Sequence, residues 1–250
     1  MQTVRKEGNQ FCQDLIVPCY QTDASFYLKP AAFMDMAQEI AFWAAQLLGF
    51  GYDDLQVHHT AWVLSRFHIR FTDPPRWRDP VTLRTWHKGL NGLFFLRDFR
   101  LLDAAGKERI TATSSWVVID TETRRLVRPD HLQEVLAAGG SEESAIAEPA
   151  PKTVFPEGPA EAVGEHVVTY ADVDILGHTN NARYMVWAMD ALPYELTAAR
   201  RVREFFLQFN KETRPGTAVA LFRCREGEDT WYIDGRQEGK SVFTVKIVFG

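Results

Sequence analysis

The sequence predicts an α+β protein built from two tandem units, each an antiparallel sheet wrapped around one central helix. Three observations lead there. An apolar helical stretch followed by four strand-like stretches occurs twice, and a Pro/Ala-rich segment separates the two occurrences. The third is length: 250 residues suit one large domain or two compact ones of ~100–200 residues each. Hydrophobic residues make up 46% and charged residues 24%, the range of a globular chain that buries a core. With 17 Phe and 7 Trp there is too much apolar bulk for a disordered chain.

In the first half, residues 12–20 read as a strand. A helix follows, with Pro30 in its first turn and Gly49 past its end, the usual asymmetry of helix termini. Phe33, Ala37, Ile40, Ala44 and Leu47 recur at helical spacing, and Phe42 and Trp43 fill other faces. Such a helix is expected to be buried nearly all round. Four stretches then read as strands: 60–72, 81–87, 92–102 and 108–120. Turn clusters such as Asp73-Pro74-Pro75 and Asp103-Ala104-Ala105-Gly106 part them.

Between about Pro129 and Gly164 the composition shifts. A short helix fits residues 131–138, Gly139-Gly140 follows, and Pro149, Pro151, Pro156 and Pro159 crowd together. Proline removes amide donors, so this stretch is no sheet interior. The second half then repeats the order of the first: a strand at 165–170, a helix from about Asn180 to Leu192, and strands at 202–211, 217–225, 230–236 and 241–249. The expected organisation is a first unit over 1–128, a linker over 129–159 and a second unit over 160–250. A long sheet around one buried helix is the hot-dog arrangement, and two copies in one chain are expected to pair as an intrachain pseudo-dimer. The halves share little residue identity, so the repeat is architectural. Further pairing into a homodimer is left open.

Charge and composition remove several function classes. Lys+Arg 28 against Asp+Glu 33 gives −5, so the chain as a whole has no basic field to gather nucleic acid. Local clusters (Arg76 with Arg78, Arg124-Arg125, and Arg200-Arg201 with Arg203) remain as meeting points for an anionic partner, or as ordinary solvated faces. The longest apolar run, Ile40 to Ala45, is six residues, against ~20 for a transmembrane helix. MQTVRKEGNQ has no apolar core of a secretory signal. Cys12, Cys19 and Cys224 are odd in number and wrongly spaced for disulfides or zinc, and they read as core fillers within strands. A reduced, cytoplasmic compartment is expected, and a processed organelle protein fits as well. No metal or cofactor is expected: His58-His59 lacks a third ligand and reads as a surface loop, and neither a phosphate-cradling glycine loop nor a G-x-S-x-G elbow is present. Asp53-Asp54 reads as the turn after the first helix.

Reactive groups concentrate in Asp172-Val-Asp174-Ile-Leu176-Gly-His178-Thr-Asn180-Asn181-Ala-Arg-Tyr184, followed by Trp187. Thr179 or Asn180 is placed to cap the helix that opens there. A helix start carries partial positive charge and free amides, a place for a developing oxyanion. The same residues also make ordinary turns and caps.

This segment resembles the motif D-x-D-x-N-x-H-V-N-N-x-x-Y of the acyl-[acyl-carrier-protein] thioesterases, the plant and bacterial double hot-dog family. Supporting signals are Trp62-Val63-Leu64 with Arg66, Thr85-Trp86, Arg97-Asp98-Phe99 and the run from Ala112 to Trp116. The resemblance covers about residues 12–250. It implies a catalytic carboxylate 34 residues after His178, which is Glu212, on the next strand with Gln208 and Asn210 on its face. It implies hydrolysis of a fatty acyl thioester carried on acyl-carrier protein, an acidic partner. Glu212 acts as base or nucleophile, and His178 hydrogen-bonds the water or the carboxylate. Asp174 orients the imidazole, and amides near Asn180 polarise the carbonyl. Phe33, Phe42 and Trp43 serve as acyl-slot wall or as plain core. Two departures stand out. Leu176 occupies the position of the motif's asparagine, leaving Asn180 to replace it, and Thr213 stands where some plant members have cysteine, which rules out a thiolate there. The alternatives are an acyl- or aryl-CoA thioesterase, a hot-dog dehydratase or hydratase, and an acyl-binding protein without turnover.

Overall fold

The computed structural model describes residues 4–127 and 140–250 and divides them into two compact units. Residues up to Ser65 together with Phe71–Ala150 form the first, and Arg66–Arg70 with Pro151–Gly250 form the second. The helix expected over 131–138 lies outside the described residues. No described helix is long and apolar enough to cross a membrane.

The first unit contains β1 (Arg5–Glu7), β2 (Gln10–Ile16), α1 (Pro30–Leu47), α2 (Tyr52–Val57), β3 (Thr60–Phe71) apart from its Arg66–Arg70 stretch, β4 (Pro80–Asn91), β5 (Phe94–Asp103), β6 (Glu108–Asp120) and β7 (Leu126–Val127). Its strands run in the order β1-β2-β4-β5-β6-β3, with β7 also on β6. Alternation decides what faces the helix. The register aligns Phe95 with Trp116, Phe99 with Ala112 and Leu101 with Ile110, while α1, which packs on β4, offers Phe33, Ala37, Ile40 and Ala44. Phe99, Leu101, Ile110, Ala112 and those four helix residues are fully buried.

Four local expectations are corrected. The first strand ends at Ile16, because Pro18 opens a 3-10 turn over Cys19–Gln21; this leaves Cys19 exposed rather than in a core. Asp53 and Asp54 lie in the first turn of α2, where the Asp54 carboxylate accepts from the Gly51 amide at 3.0 Å. Helix α1 is not buried all round: Phe42, Trp43 and Leu47 are 36%, 42% and 59% exposed. Glu39, Trp43 and Leu47 follow one another at i, i+4 on the side away from the sheet, with Trp43 Nε1 donating to Glu39 at 2.7 Å. The core side is lined mainly by alanines, which fill helical spacing without bulk. Finally, residues 140–150 are irregular yet laced along β4 and β5. Trp86 Nε1 donates to Glu143 O at 2.8 Å, the Ala145 amide to Asp98 at 2.7 Å, and Lys88 Nζ to Ile146 O.

The second unit contains β8 (Glu161–Val167), α3 (Asn181–Asp190), α4 (Tyr194–Ala199), β9 (Val202–Phe209), β10 (Ala218–Glu226), β11 (Thr230–Gln237) and β12 (Lys240–Phe249). Their order is β9-β12-β11-β10-β8, all antiparallel, and Arg66–Arg70 pair with the free side of β9. Helix α3 packs on β12. Each unit is thus a hot-dog arrangement of sheet and central helix. Phe205, Leu207, Phe243, Val245 and Ile247 are fully buried. Gly235 stands opposite Phe243, whose ring occupies the space a Cβ would need. That ring in turn packs at 5.0 Å on Tyr184 and 6.1 Å on Trp187 of α3.

Two predictions arise from this packing. Gly235→Ala overpacks the Phe243 site and should cost about 1–3 kcal/mol, read as a lower thermal midpoint. In the first unit, burial, joined by the charge of Arg97, pushes His87 down to about 4. An unfolded imidazole titrates near 6.5. As pH falls from about 6.5 to about 4, the unfolded chain takes up a proton that the folded chain refuses. Stability present above that window should therefore drop by roughly 3 kcal/mol across it. Urea denaturation of His87→Gln should show a flatter pH profile over the same range.

Candidate active site

The loop entering α3 is organised by a buried carboxylate. Asp172 Oδ2 accepts from the Thr169 amide at 2.8 Å, the Thr169 hydroxyl at 2.9 Å and His166 Nε2 at 3.0 Å, while Oδ1 accepts from Trp187 Nε1 at 3.3 Å. Burial by itself would raise the Asp172 carboxyl, but the Thr169 and His166 hydrogen bonds outweigh it and hold it below the usual carboxylate range. His166 also lies against the Trp187 ring at 4.3 Å.

Between Val173 and Thr179, which form an antiparallel bridge, the chain makes a tight turn. Gly177 supplies the left-handed residue it needs, with φ of 74°. The Asp174 carboxylate accepts from the Leu176 amide at 2.9 Å, and the Asp174 amide donates to the His178 carbonyl at 2.9 Å. Asp174 therefore holds His178 through the main chain; its carboxylate is spent on the turn rather than on the imidazole. Asn180 is the helix cap, accepting from the Ala182 amide at 2.8 Å. Thr179, the other candidate cap, turns its hydroxyl elsewhere.

That hydroxyl meets Thr213 Oγ1 at 2.7 Å, and Thr213 Oγ1 meets the Tyr184 hydroxyl at 2.9 Å. The Thr179 amide donates to Thr213 O at 2.9 Å, and the Thr213 amide to the Tyr184 oxygen at 3.2 Å. Thr213 is 1% exposed. Burial raises the Tyr184 phenol and the Glu212 charge adds to it, so the ring stays protonated despite its Thr213 bonds. Because Thr179 and Thr213 are tied, their neighbours His178 and Glu212 face each other, Nε2 to Oε2, at 3.6 Å. That is too long for a direct hydrogen bond but within reach of a bridging water or of closure around substrate. Both side chains are partly accessible, 18% and 32%.

Some other expected placements are not met. Strand β9 ends at Phe209, so Glu212 reaches His178 from an irregular segment and not by strand alternation. Gln208 stays on the sheet between Thr244 and Arg66, donating to Phe209 O, and is not gathered with the pair. The helix-start amides of Asn180, Ala182 and Arg183 are engaged by Asp172 O, Asn180 Oδ1 and Asn180 O, so those three offer no oxyanion donor. Leu176 is 47% exposed. Cys224 is half-buried on β10 and Cys12 buried on β2, both unpaired. His58 and His59 are exposed. No three His, Cys, Asp or Glu side chains among the described residues are placed to hold a metal. A groove of about 660 Å³ opens nearby along Pro215, Thr217, Phe222 and Arg236, without His178 or Glu212. Sequence reasoning missed the roles of His166, Thr179, Tyr184 and Thr213. The spacing of 34 between each site residue and its partner, 178 to 212 and 179 to 213, was the available signal.

A carboxylate facing an imidazole at the mouth of a hot-dog helix defines a class: tandem hot-dog proteins with a His–carboxylate site. Family models of the acyl-ACP thioesterase N-terminal and C-terminal domains match residues 8–136 and 159–249. The chain belongs to the acyl-ACP thioesterase family. It is 27% identical to oleoyl-acyl carrier protein thioesterase 2, chloroplastic, of Arabidopsis thaliana, over 86% of this chain and 62% of that protein. It is 26% identical to the Coriandrum sativum oleoyl-acyl carrier protein thioesterase, over 91% and 66%. The chain therefore spans less than two-thirds of the length of these curated relatives. Among solved structures, an acyl-ACP thioesterase from Bacteroides thetaiotaomicron superposes with a TM-score of 0.88 at 25% identity, covering 97% of this chain and 98% of that one. The 12:0-ACP thioesterase from Umbellularia californica shares the fold with a TM-score of 0.89 at 20% identity, covering 98% and 99%.

Replacing Thr213 tests the hydroxyl knot. Thr213→Val leaves the buried Thr179 and Tyr184 hydroxyls short of a partner and should cost about 1–3 kcal/mol, whereas Thr213→Ser should stay near wild type. Chemical denaturation of both variants checks the difference.

Proposed function

We propose that this protein hydrolyses fatty acyl thioesters of acyl-carrier protein to free acid and carrier. The observation that supports this most is the His178–Glu212 pair at 3.6 Å inside the stretch matched by the family's C-terminal domain. A thioester needs a base for water, a donor for the carbonyl oxygen and an apolar slot. Glu212 takes the proton from a water held beside it and His178, whose Oε2 and Nε2 stand 3.6 Å apart. Attack by Glu212 itself, through an anhydride, is the other use of the same carboxylate. His178 donates to the water or the carboxylate, and Asp174 holds its backbone. With Leu176 lacking a donor and three helix-start amides engaged, the Asn180 carboxamide takes over the carbonyl. The first unit is assigned the acyl chain. A reducing compartment such as the cytoplasm suits three unpaired cysteines.

Leu176, together with the engaged amides, favours a second reading: acyl binding without turnover. Thiol release from a series of acyl-carrier thioesters decides between the two. Glu212→Ala and His178→Ala should each lose at least about 100-fold in kcat. Full activity in both variants would sink the site. Acyl binding with no free thiol, unchanged by Leu176→Asn, would establish the binding protein instead.

A further inference from the structure

The loop that carries His178 has a second copy in the first unit. There the Asp23 amide donates to Tyr27 O as Asp174 does to His178 O, and the Phe26 amide to Asp23 O as Gly177 does to Asp174 O. The Asp23 carboxylate accepts from Ser25 as that of Asp174 accepts from Leu176. The Leu28 amide reaches Pro75 O as Thr179 reaches Thr213 O, and the Arg78 amide reaches Val17 O as Gly216 reaches Val168 O. This frame puts Tyr27 at the place of His178 and Pro74 at the place of Glu212. The copy has neither imidazole nor carboxylate.

It has a surface instead. At the two positions where the second unit uses Gly177 and Gly216, with φ of 74° and 80°, the first carries Phe26 and Arg78 at 69° and 72°. Glycine makes the same turns without steric cost, so the turns do not require these side chains. Strain retained without a folding reason points toward function. The two flank Trp77: the Arg78 guanidinium lies 4.0 Å from its ring centroid, and Phe26 stacks at 6.1 Å and 15°. The Trp77 amide bonded to Phe26 O at 2.9 Å fixes the stack, and Arg76 lies over Tyr27 at 4.8 Å. Phe26 is 51% and Trp77 37% exposed. The nearby acids are taken by amides: Asp23 Oδ1 serves Ser25 and Tyr27, and Asp79 Oδ2 serves Arg76. Among the described residues, Arg76 donates to Ser25 O and neither Arg76 nor Arg78 has a carboxylate partner.

We propose that Phe26, Trp77, Arg76 and Arg78 form a docking surface for the acidic carrier protein, separate from the His178–Glu212 site. The proposal rests on acyl-carrier protein being the carrier. Aromatics and arginine are the residue types that anchor interfaces. A guanidinium already laid on a ring is pre-oriented for a carboxylate. Uncompensated positive charge meets an acidic partner and weakens with salt.

Apo carrier protein, which lacks the pantetheine arm, isolates this contact. Its affinity for the full chain is measured at low and high salt, beside hydrolysis of a small acyl thioester. Arg76→Glu with Arg78→Glu should weaken binding at least about tenfold, flatten its salt dependence and leave small-thioester turnover unchanged. Phe26→Gly should also weaken binding while holding or raising the thermal midpoint, since it relieves the left-handed strain; a purely structural side chain would lower that midpoint. Wild-type affinity in both variants, or no binding by wild type, overturns the proposal. If wild type nevertheless releases thiol from carrier thioesters, hydrolysis stands and docking alone falls. Binding through these residues without thiol release does the reverse. Self-association through the surface with no carrier binding assigns it to a second copy of this chain and overturns the proposal.

Discussion

The approach of His178 to Glu212 depends on one buried hydroxyl. Thr213 Oγ1 joins the loop through Thr179 and the helix through Tyr184, at 2.7 and 2.9 Å. Each of these oxygens, once buried, must find a partner or bear its full desolvation cost, so the three segments hold one arrangement rather than several. His178 and Glu212 are the chain neighbours of the two threonines and inherit their spacing. Behind the knot stands aromatic packing. Tyr184 is wedged against Phe209, Trp187 and Phe243 at 5.7, 4.9 and 5.0 Å, and Phe243 has room only because residue 235 is glycine. A contact on the sheet thus sets a distance in the site.

Most polar side chains of the motif are engaged in the frame of the loop. Asp172 gathers Thr169, His166 and Trp187; Asp174 closes the turn; Asn180 caps the helix with its oxygen. The first unit shows how far frame and chemistry are separable. Around Tyr27 and Pro74 it makes the same turn and the same bridge, Thr22 to Leu28, with no titratable pair at all. Backbone hydrogen bonds and an Asx turn suffice for the shape. The units differ in what this frame carries: His178 and Glu212 in the second, Tyr27 and Pro74 in the first.

Much of the fold was legible in the chain, for identifiable reasons. Alternation along β9 is a period-two signal: Phe205 and Leu207, two residues apart, are both buried. Helix α1 was legible as a helix but not in its burial. Its alanines score as apolar and are too small to show which side faces the sheet, so Phe42 and Trp43 were expected inside and lie outside. That Glu212 stands near His178 was legible from spacing and resemblance, while its route was misread. The strand pattern runs past Phe209, where the pairing stops. The helix-start amides looked open because nothing local tells that Asp172 O and Asn180 have claimed them.

By itself the sequence determined the helix-then-strands order and that a capping residue starts α3. Each is a contest between a residue and its immediate neighbours, decided by sterics and local hydrogen bonds. Only the tertiary structure decided that Asp174 serves the turn, that Thr213 ties His178 to Glu212, and that Phe26 and Arg78 close on Trp77. Those outcomes depend on which distant groups compete for the same donor, acceptor or ring face. That competition is settled by burial, which no stretch of chain specifies alone.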